Sequence, residues 1–183
     1  MLSSDREIVR SERSENDLRV KTYLLFKPPF MSEADALLHT SKWISEVAPL
    51  SDEVSINPMN IQKRTIVDRL FRNREYRPPW LWSLVEMITT SHDTITETDC
   101  RVIVHPTAGG KIRGSHNCGK CDADVVAAIE RYSVSGQIGE FEGLNCDCKS
   151  SWHSEILSDS SLPTPLGSGN DRRGNRIDAL RAP

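Results

Sequence analysis

At 183 residues, with 37% hydrophobic and 27% charged side chains, the chain has the length of one domain and enough apolar material for a modest core. No run approaches the roughly 18 apolar residues of a membrane span, and a net charge of −3 gives the chain as a whole no attraction for nucleic acid. The charged start MLSSDREIVRSERSENDLRV has no apolar signal-peptide stretch, which predicts a cytoplasmic protein with no membrane partner. In that reducing compartment, close cysteine pairs read as metal or redox groups ahead of disulfides.

Residues 1–17 are polar and without period, the pattern of a disordered lead-in. VKTYLLF (20–26) is rich in β-branched and aromatic residues and is stopped by Pro28 and Pro29, which predicts a buried strand. Ser32 with Asp35 three places on resembles a capping box, and a helix follows to about Val47 with Leu37, Ile44 and Val47 on one side. EVSINPM (53–59) predicts a second strand ended by Pro58, and Ile66, Val67, Leu70 and Phe71 are spaced for a helix near 65–75. Strand, helix, strand, helix is the signature of a parallel α/β unit, and two such units leave a sheet unfinished.

RPPWLWSLVEMI (77–88) predicts a new helix entered through Pro78 and Pro79, with Trp80, Leu81, Leu84, Val85 and Ile88 as its stripe. CRVIVHP (100–106) reads as a strand and TAGGKIRGSHNCGKC (107–121) as a glycine-rich loop. Asp122 is placed to cap a helix over 122–133 whose apolar face is Val125, Ile129 and Tyr132. From Ser158 the chain turns to Ser, Pro, Gly and Arg, which predicts a disordered tail over about 157–183.

Four cysteines make the sharpest chemical pattern. Cys118 and Cys121 form C-x2-C, 24 residues intervene, and Cys146 and Cys148 form C-x-C. Zinc takes four thiolates in a tetrahedron at about 2.3 Å, and the two turns can each present two sulfurs. Four thiolates also suit an iron–sulfur cluster, and plain reduced thiols are the bland reading. His116 and His153 flank the pairs as alternative ligands, whereas Cys100 at the head of a strand reads as a small buried apolar residue. The C-x3-C-x2-C spacing of clusters that bind S-adenosylmethionine does not occur, since Gly114 stands where its first cysteine would be.

Between Ile61 and Arg77 lie Lys63, Arg64, Arg69, Arg72, Arg74 and Arg77 against Asp68 and Glu75, a local charge of +4 (six minus two), with Tyr76, Trp80 and Trp82 directly after. Guanidinium groups contact phosphates and aromatic faces stack on unpaired bases, so the segment suits RNA; a solvated helix face beside a tryptophan-rich core is the alternative. Lys111 and Arg113 add charge to the glycine loop. Lys27, Asn57, Asn60 and Gln62 follow the two first strands, whose carboxyl ends point into the active site of parallel α/β folds, although Asn and Pro also simply end strands.

Taken in order, VKTYLLFKPPF, SINPMNIQKRTIVDRLFRNREYRPPWLWSLVE and GGKIRGSHNCGKCD with NCDC resemble the carboxyl-terminal part of the archaeosine-biosynthesis radical S-adenosylmethionine proteins, whose core is related to the Elongator catalytic subunit. The resemblance covers about residues 18–153. It implies an α/β fold: the last two strand–helix units of a radical S-adenosylmethionine partial barrel over 18–75, then a small α+β metal-stabilised domain over 76–156. It implies an archaeal tRNA-modifying lyase that uses S-adenosylmethionine and a four-iron four-sulfur cluster to cleave a lysine-derived adduct on a deazaguanine base. It further implies tRNA, a lysine-transferring archaeosine synthase and a missing amino-terminal half as partners.

Under this reading Lys27, Asn57, Asn60 and Gln62 face cofactor or substrate. Lys63, Arg64, Arg69, Arg72, Arg74, Arg77, Lys111 and Arg113 face tRNA, and Cys118, Cys121, Cys146 and Cys148 hold zinc. Because the cluster motif is absent, the expectation is a fragment, a split-gene product or a late-started gene model that is inactive alone. The competing expectation is a stand-alone zinc-stabilised RNA-binding module without catalysis.

Overall fold

The computed structural model describes residues 18–161, and the predicted disordered lead-in and most of the predicted tail lie outside them. The elements are β1 (Lys21–Phe26), α1 (Glu33–Val47), a 3-10 turn (Ala48–Leu50), β2 (Glu53–Pro58) and α2 (Ile66–Arg72). There follow α3 (Leu81–Thr90), α4 (His92–Glu97), β3 (Arg101–Val104), α5 (Asp122–Ser135), a second 3-10 turn (Ile138–Phe141) and α6 (Cys148–Ser161).

The three strands form one parallel sheet in the order β1-β2-β3, with Leu24 beside Ile56 and Ile56 beside Val104. Parallel neighbours need a long crossover; α1 makes the first and α2 to α4 the second. Alternation along the strands sends Leu24, Val54, Ile56, Val102 and Val104 to one face, where they join a single apolar cluster with α1, α3, α5 and α6. Trp82, Tyr132, Trp152, Leu84 and Ile129 are among its large helical members, none more than 1% exposed. At the amino ends of the strands, Glu53 sits between Lys21 (2.6 Å) and Arg101 (3.7 Å), which supports the register.

The sheet and this cluster run across residue 75, where the sequence suggests a domain boundary: β3 pairs with β2, and Phe26 shares a core with Trp152. A smaller cluster of Ile61, Val67, Leu70 and Tyr76 lies to one side.

The two edges of the sheet differ. Ser133 of α5 donates to the carbonyl of Val104 and accepts from its N–H, so β3 is covered. Among the described residues no strand pairs with the outer edge of β1, and Tyr23 and Leu25 on its second face are 66% and 52% exposed.

Three local expectations shift. Helix α2 stops at Arg72, because Arg74 turns left-handed (φ 63°) and Glu75 N–H closes on Leu70 O at 2.8 Å. Helix α3 starts at Leu81 with extended Trp80 as its N-cap (ψ 143°), so both prolines precede the helix. The tail that the sequence marks as disordered from Ser158 is helical to Ser161, as the end of α6. No helix among the described residues is long and apolar enough to cross a membrane.

Candidate metal centre

The glycine-rich loop before α5 is a folded turn, not a free connection. Gly110 N–H bonds Ser115 O (2.8 Å) and His116 N–H bonds Pro79 O (3.2 Å). A side chain on Gly114 would meet Ala108 O at 2.2 Å, so only glycine fits there. The same contact leaves no room for a cysteine at position 114, where C-x3-C-x2-C would need one.

The helix N-cap is Cys121, not Asp122. Asp122 instead reaches back: its two carboxylate oxygens accept the N–H groups of Asn117 (2.9 Å) and Gly119 (2.7 Å). This staple, with left-handed Gly119 (φ 88°), curls the C-x2-C turn so that both sulfurs face one way. From the other side, Cys146 lies in a turn closed by Lys149 N–H on Cys146 O (2.9 Å), and Cys148 opens α6.

All four sulfurs lie within 4.8 Å of one another. Cys118 Sγ is 3.6 Å from Cys146 Sγ, and Cys121 Sγ is 3.7 Å from Cys148 Sγ. A tetrahedron of roughly 2.3 Å metal–sulfur bonds has edges of about 3.8 Å. Those two distances match such edges, the other four stay within 4.8 Å, and the two are well beyond the ~2.05 Å of a disulfide, so the set could close around one ion. So compact a set has no space at its centre for four irons and four sulfides, so the iron–sulfur alternative does not fit these residues.

The surroundings are graded. Cys118 is exposed, and the backbone N–H groups of Lys120 and Cys121 draw its pKa down to about 7. Burial pushes Cys121 up to about 12 and raises Cys148 as well. Asn117 Nδ2 donates to Cys121 Sγ (3.4 Å) and Trp82 Nε1 to Cys148 Sγ (3.3 Å), which orients both sulfurs as outer-shell partners of metal ligands do. His116 and His153 are not in the group: His116 Nδ1 is bonded to Gly114 O (2.9 Å) and His153 stacks on Trp152. Cys100 is buried in the main core.

The basic residues divide in two. Arg113 (2.6 Å) and Arg72 (3.0 Å) converge on buried Asp68, which also accepts Arg64 N–H (2.9 Å). Arg77 stacks 3.9 Å over the Trp80 ring and donates to Pro78 O and His116 O. These three hold the fold, although Arg72 remains largely exposed. Lys63, Arg64, Arg69, Arg74 and Lys111 present exposed side chains.

At the strand ends, Lys27 forms a buried ion pair with Glu33, and its carbonyl accepts Tyr76 OH (2.8 Å). Asn57 Nδ2 bonds Ser55 O (3.3 Å), and Gln62 Nε2 bonds Asn60 Oδ1. The sequence reading missed Glu33 and Asp68 as buried anions. The available signal was Asp68 three places after the Thr65 cap, with basic residues all around it.

Comparison with known proteins places the chain among archaeal relatives. It is 34% identical to the archaeosine synthase subunit beta of Methanosarcina acetivorans over 148 residues, 80% of this chain and 42% of that protein. With the archaeosine synthase subunit beta of Thermococcus kodakarensis it shares 38% identity over 135 residues, 73% of this chain and 41% of that one. An uncharacterized protein of Methanocaldococcus jannaschii is 28% identical over 171 residues, 90% of this chain and 46% of its own length. No family model and no solved structure matches. The chain thus resembles two archaeosine synthase beta subunits along most of its own length, and spans less than half of theirs.

Proposed function

We propose that this chain is the metal-stabilised, tRNA-facing part of an archaeosine-forming tRNA-modifying enzyme. The similarity to two proteins named archaeosine synthase subunit beta carries the reading. A subunit acts with a partner, and here the partner is a lysine-transferring archaeosine synthase. The reaction is the lyase step on a lysine-modified deazaguanine base. In this proposal the sheet is the last wall of a radical S-adenosylmethionine partial barrel, and a polypeptide segment bearing C-x3-C-x2-C pairs along the open edge of β1. Unpaired strand edges are templates for such pairing.

The four-iron four-sulfur cluster belongs to that other segment, because the cysteines here are too close together to hold it. Zinc fits them, and supplies structure only: it joins the 107–121 loop to the start of α6. Lys27, Asn57, Asn60 and Gln62 stand at the carboxyl ends of the strands, toward cofactor and substrate. Lys63, Arg64, Arg69, Arg74 and Lys111 meet the phosphates of tRNA, with Arg72, Arg77 and Arg113 behind them.

Two measurements test this. The purified chain should bind tRNA, with log K falling against log salt with a slope of about −3 to −4, as release of roughly four to five counterions requires; charge reversal at Lys63, Arg64 and Lys111 should flatten the slope. Given S-adenosylmethionine and dithionite, the chain alone yields no 5′-deoxyadenosine; turnover there refutes the assignment of the cluster to another segment.

A second reading, a stand-alone zinc-stabilised RNA-binding module, draws support from the single core that unites both sides of residue 75. Amide exchange over residues 20–60 decides between them. Strong protection in the isolated chain favours the module, and rapid exchange favours a sheet that awaits its neighbour.

A further inference from the structure

Two isoleucines among the described residues are exposed, Ile66 (63%) and Ile112 (68%), while the others are buried or half-buried. Single exposed apolar residues are ordinary on a protein surface, so exposure alone says nothing. Their company does. Across residues 59–74 and 106–117 the one acid is buried Asp68, and every exposed charged side chain is positive.

Each isoleucine stands on a fixed tip. Thr65 Oγ1 donates to Gln62 O (2.8 Å) and accepts Asp68 N–H (3.1 Å), which closes a turn around left-handed Arg64 (φ 66°) and sets Ile66 as the first residue of α2. Gly114 N–H on Lys111 O (2.8 Å) closes a second turn, with Ile112 directly after Lys111. One carboxylate ties the two turns together: Asp68 takes Arg64 N–H on Oδ2 (2.9 Å) and the Arg113 guanidinium on Oδ1 (2.6 Å). Ile61 N–H on Arg113 O (2.8 Å) is a further tie. A β-branched side chain has few rotamers, and tips already ordered lose little entropy when a partner arrives.

We propose that Ile66 and Ile112 form an apolar wedge that enters the tRNA stack and holds a base step open, while Lys63, Arg64 and Lys111 grip the flanking phosphates. The wedge rests on the tRNA reading above and adds to it the residues that distort the substrate. Chemistry on a base requires that base to leave its stack, and aliphatic side chains inserted at a base step are one way to fill the gap. The cations supply attraction that is indifferent to sequence and falls with salt. The isoleucines carry no charge, so they leave the salt dependence alone and act on stacking. Interfaces with nucleic acid are far more positive than those between proteins, which favours RNA over an acidic protein face as the occupant of this ground.

Fluorescence on the full chain provides the test, with a set of tRNA transcripts that each carry 2-aminopurine at one purine position; this fluorophore brightens when it leaves the stack. At saturation, fixed independently by anisotropy, one position or two neighbouring ones should brighten severalfold. The double variant Ile66→Ser, Ile112→Ser should lose that brightening. Its melting temperature and salt slope should be unchanged, and its Kd should rise by less than about tenfold, because it no longer has to open the step. Ile66→Leu with Ile112→Leu should keep the brightening. Lys63→Ala with Lys111→Ala should do the opposite of the serine pair, flattening the salt slope by about two while the brightening persists at saturation. Saturable binding with no position brightened overturns the wedge and leaves the tRNA reading standing, and so does brightening that survives in the serine variant. Absence of tRNA binding by the wild type removes both.

Discussion

The 107–121 loop is fastened at two points by different chemistry. At Arg113 the fastening is complete within the chain: a buried carboxylate from α2 takes the guanidinium, and Arg113 exchanges backbone and side-chain bonds with Ile61 O and N–H. At Cys118 and Cys121 the four sulfurs could take an ion from solution, and without one the fastening would be slight, because sulfurs at van der Waals distance attract one another only weakly. Charge compensation by covalently attached partners is always present at high effective concentration. Compensation by a metal is set by its free concentration and by pH. On the metal reading, one loop end is constitutive and the other conditional.

Removing the metal should separate the two most widely. With zinc a thousandfold above its Kd, binding adds about 4 kcal/mol to stability. Exhaustive chelation should then lower the melting temperature by about 8–16 °C for a chain of this size. Cys121→Ser should reproduce most of that loss, and elemental analysis of the wild type should return one zinc per chain. A metal content near zero in protein prepared without chelator, with an unchanged melting temperature after chelation, ends the metal assignment. Throughout, the amide of Ile61, bonded to Arg113 O at 2.8 Å, should stay protected from exchange.

Acid should part the two ends in the same sense. The Arg113 guanidinium, then the Arg64 N–H, holds the Asp68 carboxyl well below the usual range. A group whose folded pKa is depressed contributes fully above its unfolded value, here 3.8, and loses that contribution only as pH falls through the lower folded value. The Asp68 fastening thus persists from pH 7 to about pH 4. The ion must displace protons from its thiols, most of all from Cys121, which burial raises to about 12. Zinc affinity should therefore fall steadily with acid, and zinc should leave by about pH 4–5 while Ile61 remains protected. Release of zinc and loss of Ile61 protection at one common pH would show that the two fastenings are a single unit.

Asp68→Asn reverses the experiment. It removes the charge that Arg113 and Arg72 share, while the amide can still accept a hydrogen bond. Ile61 and Arg113 should exchange faster, whereas zinc stoichiometry stays at one. The satellite cluster of Ile61, Val67, Leu70 and Tyr76 should loosen with them, because α2 carries Val67 and Leu70 as well as Asp68.

The two fastenings also differ in how far the sequence reveals them. C-x2-C and C-x-C are local patterns, and all four of their residues converge as the spacing predicts. The strands were legible for the same reason: each is a short apolar run between turn residues, and each forms where that run lies. The Arg113–Asp68 contact joins residues 45 apart, and nothing near either marks the other. Composition records the charge of Arg72, Arg77 and Arg113 but not the intrachain partners that engage it: Asp68 for Arg72 and Arg113, the Trp80 ring and two carbonyls for Arg77. Helix α6 was missed because its buried side is narrow, little more than Trp152 and Ile156, and serine fills much of the rest. Its placement depends on distant partners, Trp152 Nε1 on Ser83 Oγ (2.8 Å) and Glu155 on Trp80.

The smallest expected effect separates the two arginines on Asp68. Arg72 lies one helical turn from Asp68, and its side chain is 67% exposed; that of Arg113 is 30% exposed and also donates to Ile61 O at 3.1 Å. An exposed i,i+4 pair is screened by solvent and spends side-chain entropy on its geometry, so Arg72→Ala should move the melting temperature by about 1 °C or less. Arg113→Ala removes a less exposed cation and frees the loop end that α2 anchors, so its shift should be several times larger and should fade little in high salt. Equal and strongly salt-dependent shifts for the two variants would place the Asp68 contacts at the surface, and the constitutive end of the loop would then owe its order to the sulfurs alone.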